Sequence, residues 1–276
     1  MADVGRMNKL TVVRKAEHGV YLSGDRNNDI LLPKAYVPEG CKIGDEVEVF
    51  IYRDSEDRII ATTQTPLAMV GEFACLKAVS STRVGAFLDW GLLKDLLVPF
   101  KEQKYRMRTG QSYVVYVYLD ETTDRVVASS KLSKFLDSEP AGYVEGEKVN
   151  LMIFEKTDLG YKVIINNAHA GIIYENEVFQ PVHIGQQLTG FINKIRSDGK
   201  IDIALQKTGY EHIDPIAQMI LDYLKEHNGE MHLTDKSPAE EIYTAFGISK
   251  KNFKKALGAL YKEKIIDIGK EVIKLN

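Results

Sequence analysis

The chain has 276 residues, enough for more than one domain, and its 36 Lys and Arg residues are balanced by 39 Asp and Glu residues. The formal net charge of -3 and the isoelectric point of about 6.1 exclude a globally basic nucleic-acid binder, so any such binding must use local patches. Cys41 and Cys75 have no metal-ligand spacing, no apolar run approaches a membrane span, and the N-terminus lacks a signal-peptide pattern, which together predict a cytoplasmic protein.

Residues 1–66 are predicted to form a module of short strands. The apolar and β-branched segments Leu10–Val13, Val20–Leu22 and Asp29–Leu32 indicate three strands, and two more are expected around Val49 and Ile60. A longer connection separates the third strand from the fourth. Five short strands with this spacing are typical of a Greek-key OB barrel.

The same pattern recurs in residues 67–136. Pro33 and Gly44 of the first module have counterparts at equal spacing in Pro99 and Gly110, and the Val- and Tyr-rich run Tyr113–Tyr118 indicates the fourth strand. A degenerate third copy follows in residues 137–207. Repetition at a fixed period indicates an array of domains of one fold, so the sequence predicts three tandem OB barrels.

The apolar periodicity becomes helical in residues 208–276. Asp214 is predicted as an N-cap with Pro215 at the first helical position, and the segment Ser237–Glu240 as a capping box that opens a second helix. Ser249 is predicted to cap a third helix. A terminal hairpin follows, and three helices with a hairpin are the elements of a winged helix.

The third helix is expected to bury one face. Phe253, Leu257, Leu260 and Tyr261 recur at helical spacing, and Ile248 is placed to pack on Phe253 as a hydrophobic staple. The fold class is therefore mostly β with a C-terminal α+β domain, in which three OB-fold barrels precede a winged-helix domain.

Two motifs carry a resemblance to a known family. Gly85-Ala86-Phe87 and the segment Asp124–Lys131 resemble the second-strand and last-strand signatures of the S1 RNA-binding domain, an OB fold. Three such modules followed by a winged helix resemble the conserved virulence factor B family of bacterial RNA-binding proteins. The resemblance implies an RNA-binding protein that acts as a post-transcriptional regulator, with no cofactor.

The resemblance also implies ligand positions in each module. Phe87 matches the second-strand aromatic residue of the S1 domain, and Arg125 matches the basic residue on its last strand. The equivalent residues are Tyr21 and Arg58 in module one, and Lys162 and Lys200 in module three. Tyr174 of module three occupies the family's third-strand histidine position.

A basic loop in module two adds to these positions. Single-strand binding needs aromatic faces for the bases and cations for the phosphates. The candidates in this module are Arg83, Phe87, Trp90, Lys101, Lys104, Tyr105, Arg106, Arg108 and Arg125. Because the loop interleaves its cations with Tyr105 and a single acid, we interpret it as a binding element. For Trp90, a stacking role and a place in the core both remain open.

The third helix begins with a lysine cluster. Lys250, Lys251, Lys254 and Lys255 flank Phe253. On a winged helix this is the element that meets nucleic acid, here without an Arg or Gln to read bases. A solvated lysine face explains the cluster equally well.

Enzyme signatures are absent from the sequence. There is no phosphate-cradling P-loop, no His-Glu-x-x-His and no Gly-x-Ser-x-Gly, and neither a metal nor a cofactor is predicted. The sequence thus predicts a non-catalytic protein that binds single-stranded RNA. Two alternatives remain: an adaptor for a nuclease or ribosome partner, and a regulator that binds duplex DNA through the winged helix.

Overall fold

The computed structural model describes residues 2–24, 28–137, 142–178, 181–206, 215–269 and 272–276. The chain divides into two compact units, Met1–Ile203 and Ala204–Asn276. The predicted domain boundary at residues 207–208 lies outside the described residues. Among the described residues, no helix has the length and apolar character needed to cross a membrane.

The first unit consists of three closed five-stranded barrels. The strands of the first barrel are β1 (Met7–Ala16), β2 (Gly19–Leu22), β3 (Ile30–Pro33), β4 (Glu46–Arg53) and β5 (Ile59–Thr62). Those of the second are β6 (Phe73–Ser81), β7 (Gly85–Asp89), β8 (Leu96–Pro99), β9 (Ser112–Asp120) and β10 (Arg125–Ser129). Those of the third are β11 (Lys148–Thr157), β12 (Gly160–Ile165), β13 (His169–Tyr174), β14 (Gln187–Ile195) and β15 (Ile201–Ala204).

All three barrels share one topology. The first strand pairs antiparallel with the second and with the fourth, and the fifth strand returns beside the third in parallel, as in the pairs β3–β5, β8–β10 and β13–β15. This arrangement confirms the prediction of three tandem OB barrels.

A glycine opens the second strand of each barrel. A Cβ atom on Gly19, Gly85 or Gly160 would lie 2.1, 2.2 or 2.1 Å from a carbonyl oxygen of the facing strand. Real Cβ atoms do not approach so closely, and the φ angles of 151°, 159° and 144° also disfavour other residues. The repeated glycines therefore mark a backbone contact that each barrel needs.

The fourth strands of the first two barrels are buried on both faces. Along β4, Val49 and Ile51 point into the first barrel, whereas Phe50 and Tyr52 pack against the core of the second. Along β9, Val115 points inward and its neighbours Val114 and Tyr116 pack on the third barrel. Strand side chains alternate between faces, so these continuous apolar runs reflect barrels packed side by side.

A side-chain amide joins the second and third barrels. Asn167, at a left-handed φ of 59°, accepts a hydrogen bond from the Phe73 backbone N–H through Oδ1 at 2.8 Å. Its Nδ2 donates to the carbonyl oxygen of Gly71 at 2.8 Å. Phe73 also packs with Met152 and Ile164 in an apolar cluster shared by the two barrels.

The second unit has the elements of a winged helix. They are α1 (Pro215–Glu226), β16 (Glu230–Met231), α2 (Ala239–Phe246), α3 (Lys250–Lys262), β17 (Ile266–Ile268) and β18 (Ile273–Leu275). The three strands form a sheet in the order β16-β18-β17, so the predicted hairpin gains a short strand that sequence analysis missed.

The helix ends match the sequence only in part. Ser249 caps α3 as predicted, since its side chain accepts from the Asn252 N–H at 3.3 Å. The predicted capping box is wrong: Pro238 occupies the N-cap of α2 without a side-chain hydrogen bond, and the Ser237 hydroxyl instead accepts from the Thr234 N–H at 2.9 Å. The predicted cap Asp214 lies outside the described residues.

The predicted buried face of α3 is confirmed except at its last residue, Tyr261. Phe253, Leu257 and Leu260 lie in the core of the unit, and Ile248 packs against it. Tyr261 is 55% exposed, because it follows Leu260 around the helix and points away from the core.

Candidate nucleic-acid interface

Phe87 and Arg125 line the same cavity, at the junction of the first two barrels. Phe87 is half-buried on β7, and Arg125 begins β10. The cavity has a volume of about 200 Å³, and Tyr52 and Arg53 of the first barrel complete its wall. The cavity therefore combines residues from two barrels, which the sequence did not indicate.

The guanidinium of Arg125 is occupied by an acid of the first barrel. Its Nε donates to Oδ1 of Asp57 at 2.7 Å, and its second terminal nitrogen donates to the other carboxylate oxygen. The hydrogen bond from Arg125 holds the pKa of Asp57 below its ordinary value, and the charges of Lys94 and Arg53 act in the same direction. The Asp57 carboxylate is therefore ionised at neutral pH.

Lys94 fixes the two barrels to each other beside this ion pair. Its ammonium donates to the carbonyl oxygens of Arg53 at 2.8 Å and Asp54 at 2.6 Å. Burial is the largest influence on its pKa, which is lowered. Lys94 was not among the predicted residues, and its role depends on a barrel packing that the local sequence does not reveal.

Trp90 belongs to the core, which corrects its place among the predicted RNA ligands. The side chain is 2% exposed, and its ring meets Phe50 of the first barrel nearly at right angles, with centroids 5.6 Å apart. Its Nε1 donates to the Lys94 carbonyl oxygen at 2.5 Å. No ring face is free for a base to stack on.

The loop between β8 and β9 presents its basic residues outward, whereas its acid Glu102 is buried. Gln103 and Met107 are buried, and Gln103 ties the loop to β8 by donating to the Val98 carbonyl oxygen at 3.0 Å. With these anchors turned inward, the exposed aromatic and basic residues are Phe100, Lys101, Lys104, Tyr105, Arg106 and Arg108.

Two aromatic rings on this loop are accessible and lie beside cations. Tyr105 is 72% exposed and Phe100 is 36% exposed. The guanidinium carbon of Arg106 is 5.2 Å from the Phe100 ring centroid, and the ammonium of Lys104 is 5.5 Å from that of Tyr105. Phe100 was not a predicted ligand, although its position next to Lys101 could have suggested it.

Glu155 of the third barrel neutralises two predicted phosphate ligands. Its carboxylate pairs with Lys104 of the second barrel and with Lys162 of its own barrel, the latter at 3.0 Å. The hydrogen bond from Lys104 is the largest cause of its lowered pKa. Within the described parts of the chain, no carboxylate lies within ion-pair distance of Arg83, Lys101, Arg106 or Arg108.

The predicted ligands of the first barrel are already engaged. The guanidinium of Arg14 lies 3.4 Å from the centroid of the Tyr21 ring and covers that face. Arg58 pairs with Asp54 at 2.7 Å and with Glu56 at 2.9 Å. These contacts leave the barrel with less stacking surface and less free positive charge than the second.

Two predicted ligands of the third barrel, Tyr174 and Lys200, also have side-chain partners. A guanidinium nitrogen of Arg196 donates to the Tyr174 hydroxyl, and Arg196 also pairs with Asp202. Lys200 pairs with Asp198 at 2.7 Å.

The lysines of α3 divide into two pairs. Lys250 donates to the Lys236 carbonyl oxygen at 3.3 Å, and Lys254 lies 3.6 Å from a carboxylate oxygen of Asp235. Lys251 and Lys255 are exposed one helical turn apart. In the part of the second unit that the structure describes, neither has a carboxylate within ion-pair distance.

Comparison with known proteins identifies the domains. The chain matches the S1 domain over residues 4–64 and 70–131, and the CvfB-like winged helix domain over residues 218–275. These ranges cover the first two barrels and the winged helix.

Similar proteins extend over most of the chain. The Bacillus subtilis protein YitL is 27% identical over 269 residues, which are 94% of this chain and 89% of that protein. Conserved virulence factor B of Staphylococcus epidermidis is 24% identical over 274 residues, 96% of this chain and 92% of that protein. A crystal structure of a Streptococcus pneumoniae multidomain protein with nucleic acid binding domains is 23% identical, covers 99% of this chain and 98% of its own, and has a TM-score of 0.47. The chain thus carries S1 domains and a CvfB-like winged helix, and it is similar to conserved virulence factor B over most of its length.

Proposed function

We propose that the protein binds single-stranded RNA mainly through its second barrel and acts as a post-transcriptional regulator without catalysis. S1 and winged-helix domains are nucleic-acid-binding domains, which supports the general activity. The observation that carries the choice of ligand is the β8–β9 loop, where Tyr105 and Phe100 are exposed. Its cations Lys101, Arg106 and Arg108 have no carboxylate within ion-pair distance among the described residues. Exposed rings beside cations suit a flexible strand, whose bases can stack while its phosphates are neutralised.

The second barrel is favoured as the RNA-binding surface because predicted ligands of its two neighbours are already occupied by other side chains. Tyr21 in the first barrel is covered by Arg14, and Lys200 in the third barrel is paired with Asp198. A base would have to displace Arg14 from Tyr21, and a phosphate would have to displace the Asp198 carboxylate from Lys200. Arg106 and Arg108 have no such partner among the described residues, so contacts there cost less.

The winged helix is proposed to add affinity without sequence choice. Lys251 and Lys255 can neutralise phosphates, whereas α3 carries no Arg or Gln to read bases. Preferential binding of duplex DNA would instead favour a DNA-binding regulator.

The proposal is tested by fluorescence anisotropy with a labelled oligouridylate. Tyr105→Ala is expected to weaken binding by about 1–3 kcal/mol, the range for one stacked base. Arg106→Gln is expected to weaken binding and reduce its salt dependence. Tyr21→Ala is the matched control, because its ring is covered by Arg14 and its loss is expected to leave affinity unchanged.

Two results would contradict the proposal. Unchanged affinity in both the Tyr105 and Arg106 variants would move the site away from the loop, and absence of any binding to single strands would favour the adaptor alternative. The labelled RNA is expected to stay intact with and without magnesium, and its degradation by the monodisperse protein would reveal a catalytic activity.

A further inference from the structure

We propose that Asp57 is a built-in competitor for RNA: it occupies the phosphate position on Arg125, and a strand entering the cavity between the first two barrels must displace it. This inference rests on the proposed function and concerns the regulation of that surface. It gives the first barrel a role in controlling access to the second.

The ion pair has the geometry of a phosphate contact. Arg125 donates from two nitrogens to the two oxygens of Asp57, the bidentate arrangement that guanidinium groups also use for phosphate. Both side chains are accessible, with exposed fractions of 43% for Arg125 and 50% for Asp57. A phosphate can therefore approach Arg125 from solvent, but the carboxylate already holds its place.

The position of Asp57 does not depend on Arg125. The β4–β5 turn is held by Asp54, whose Oδ1 accepts from the N–H groups of Glu56 at 2.8 Å and Arg58 at 3.0 Å. Lys94 holds the base of the same turn through two carbonyl oxygens. The Asp57 backbone thus stays in place when a phosphate displaces its carboxylate from Arg125, and like-charge repulsion from the nearby carboxylate opposes binding.

The cavity beneath the ion pair has room for one base. Its volume of about 200 Å³ is below the roughly 300–1,000 Å³ of sites for drug-sized ligands. Phe87, Leu97 and Trp90 contribute its apolar lining. A single unstacked base attached to the phosphate on Arg125 fits this space, whereas a base-paired strand does not.

The sharpest test compares two neutral variants of the same turn. Asp57→Asn removes the competing charge and keeps a residue that tolerates the left-handed φ of 65° at this position. Glu56→Gln removes a charge one residue earlier that pairs with Arg58 and not with Arg125. Anisotropy with labelled oligouridylate is expected to show about two- to five-fold tighter binding for Asp57→Asn, the range expected for an exposed ion pair. Glu56→Gln is expected to bind like the original protein.

A third variant isolates the role of Arg125. In an Arg125→Gln background, Asp57→Asn is expected to give no gain, because the released partner is absent. The chain contains one tryptophan, so the fluorescence of Trp90 reports on the cavity alone and is expected to change along the same binding curve. Circular dichroism melts verify that each variant is folded.

The outcomes separate the inference from the proposed function. If the original protein binds RNA but Asp57→Asn binds no more tightly, Asp57 is a structural link between barrels and not a competitor. Equal gains from Asp57→Asn and Glu56→Gln would indicate a general charge effect and refute the inference as well. If no variant binds single-stranded RNA, the proposed function itself fails.

Discussion

Replacement of Trp90 gives the clearest distinction between a core residue and a stacking ligand. Trp90→Ala removes a 2% exposed indole that packs on Phe50 across the junction of two barrels. Loss of a buried aromatic side chain of this kind costs about 3–5 kcal/mol. For a unit of this size, a change of 1 kcal/mol shifts the melting temperature by about 2–4 °C, so a decrease of about 6–20 °C is expected.

Trp90→Phe provides a gentler version of the same test. It keeps an aromatic ring but leaves the Lys94 carbonyl oxygen without its Nε1 donor, at a cost of about 1–3 kcal/mol. Leu93→Ala is the control on the same loop, since Leu93 is 86% exposed and its loss should change stability by less than about 0.5 kcal/mol.

Thermal melts monitored by circular dichroism, together with RNA titrations of the folded variants, distinguish a core role of Trp90 from a stacking role. We expect the Phe variant to melt lower and to bind oligouridylate within about two-fold of the original affinity. The reasoning is wrong if both Trp90 variants melt normally while their affinity falls by the amount of one stacked base, about 1–3 kcal/mol.

Three further perturbations follow from the structure. Glu155→Gln should reduce the free energy of unfolding at neutral pH by up to about 1 kcal/mol, because it removes the charge that pairs with Lys104 and Lys162. The difference from the original protein should fade as the pH drops below 4.5 through the lowered pKa of Glu155. Urea titrations at several pH values test this, and a difference that does not change with pH would show that the ion pairs contribute nothing. Gly85→Ala should cost about 1–3 kcal/mol because its Cβ would meet a carbonyl oxygen at 2.2 Å, and an unchanged melt would contradict that contact. Lys251→Gln combined with Lys255→Gln should weaken RNA binding at low salt and flatten its salt dependence; identical binding at every salt concentration would identify a solvated face.

The barrels were predictable because their signals are local and repeated. The spacing of Pro33 and Gly44, which recurs at Pro99 and Gly110, and the short apolar, β-branched segments belong to single modules, so the fold class follows from the sequence. The burial of Trp90 was not predictable, because the surface that covers it comes from β4 of another barrel. Local reasoning failed at Ser237 for a different reason, since its hydroxyl had a competing partner in Thr234.

The candidate site shows the same limit more strongly. Phe87 and Arg125 were predicted as ligands from a motif, and the structure places them in one cavity. The pairing of Arg125 with Asp57 and of Lys104 with Glu155 could not be predicted, because both carboxylates approach from neighbouring barrels. The residue types indicated an interface, whereas the number of free cations in it depends on the packing of modules.

The amide clamp of Asn167 has a consequence for how the first unit unfolds. Its two hydrogen bonds, one received from the Phe73 N–H and one given to the Gly71 carbonyl, bind the start of the second barrel to the third as a strand partner would. Separation of these barrels must break both bonds and open the shared apolar cluster at the same time. The Phe73 amide should therefore exchange its hydrogen with solvent as slowly as the protected interior of either barrel, and the two should lose protection together as one cooperative block.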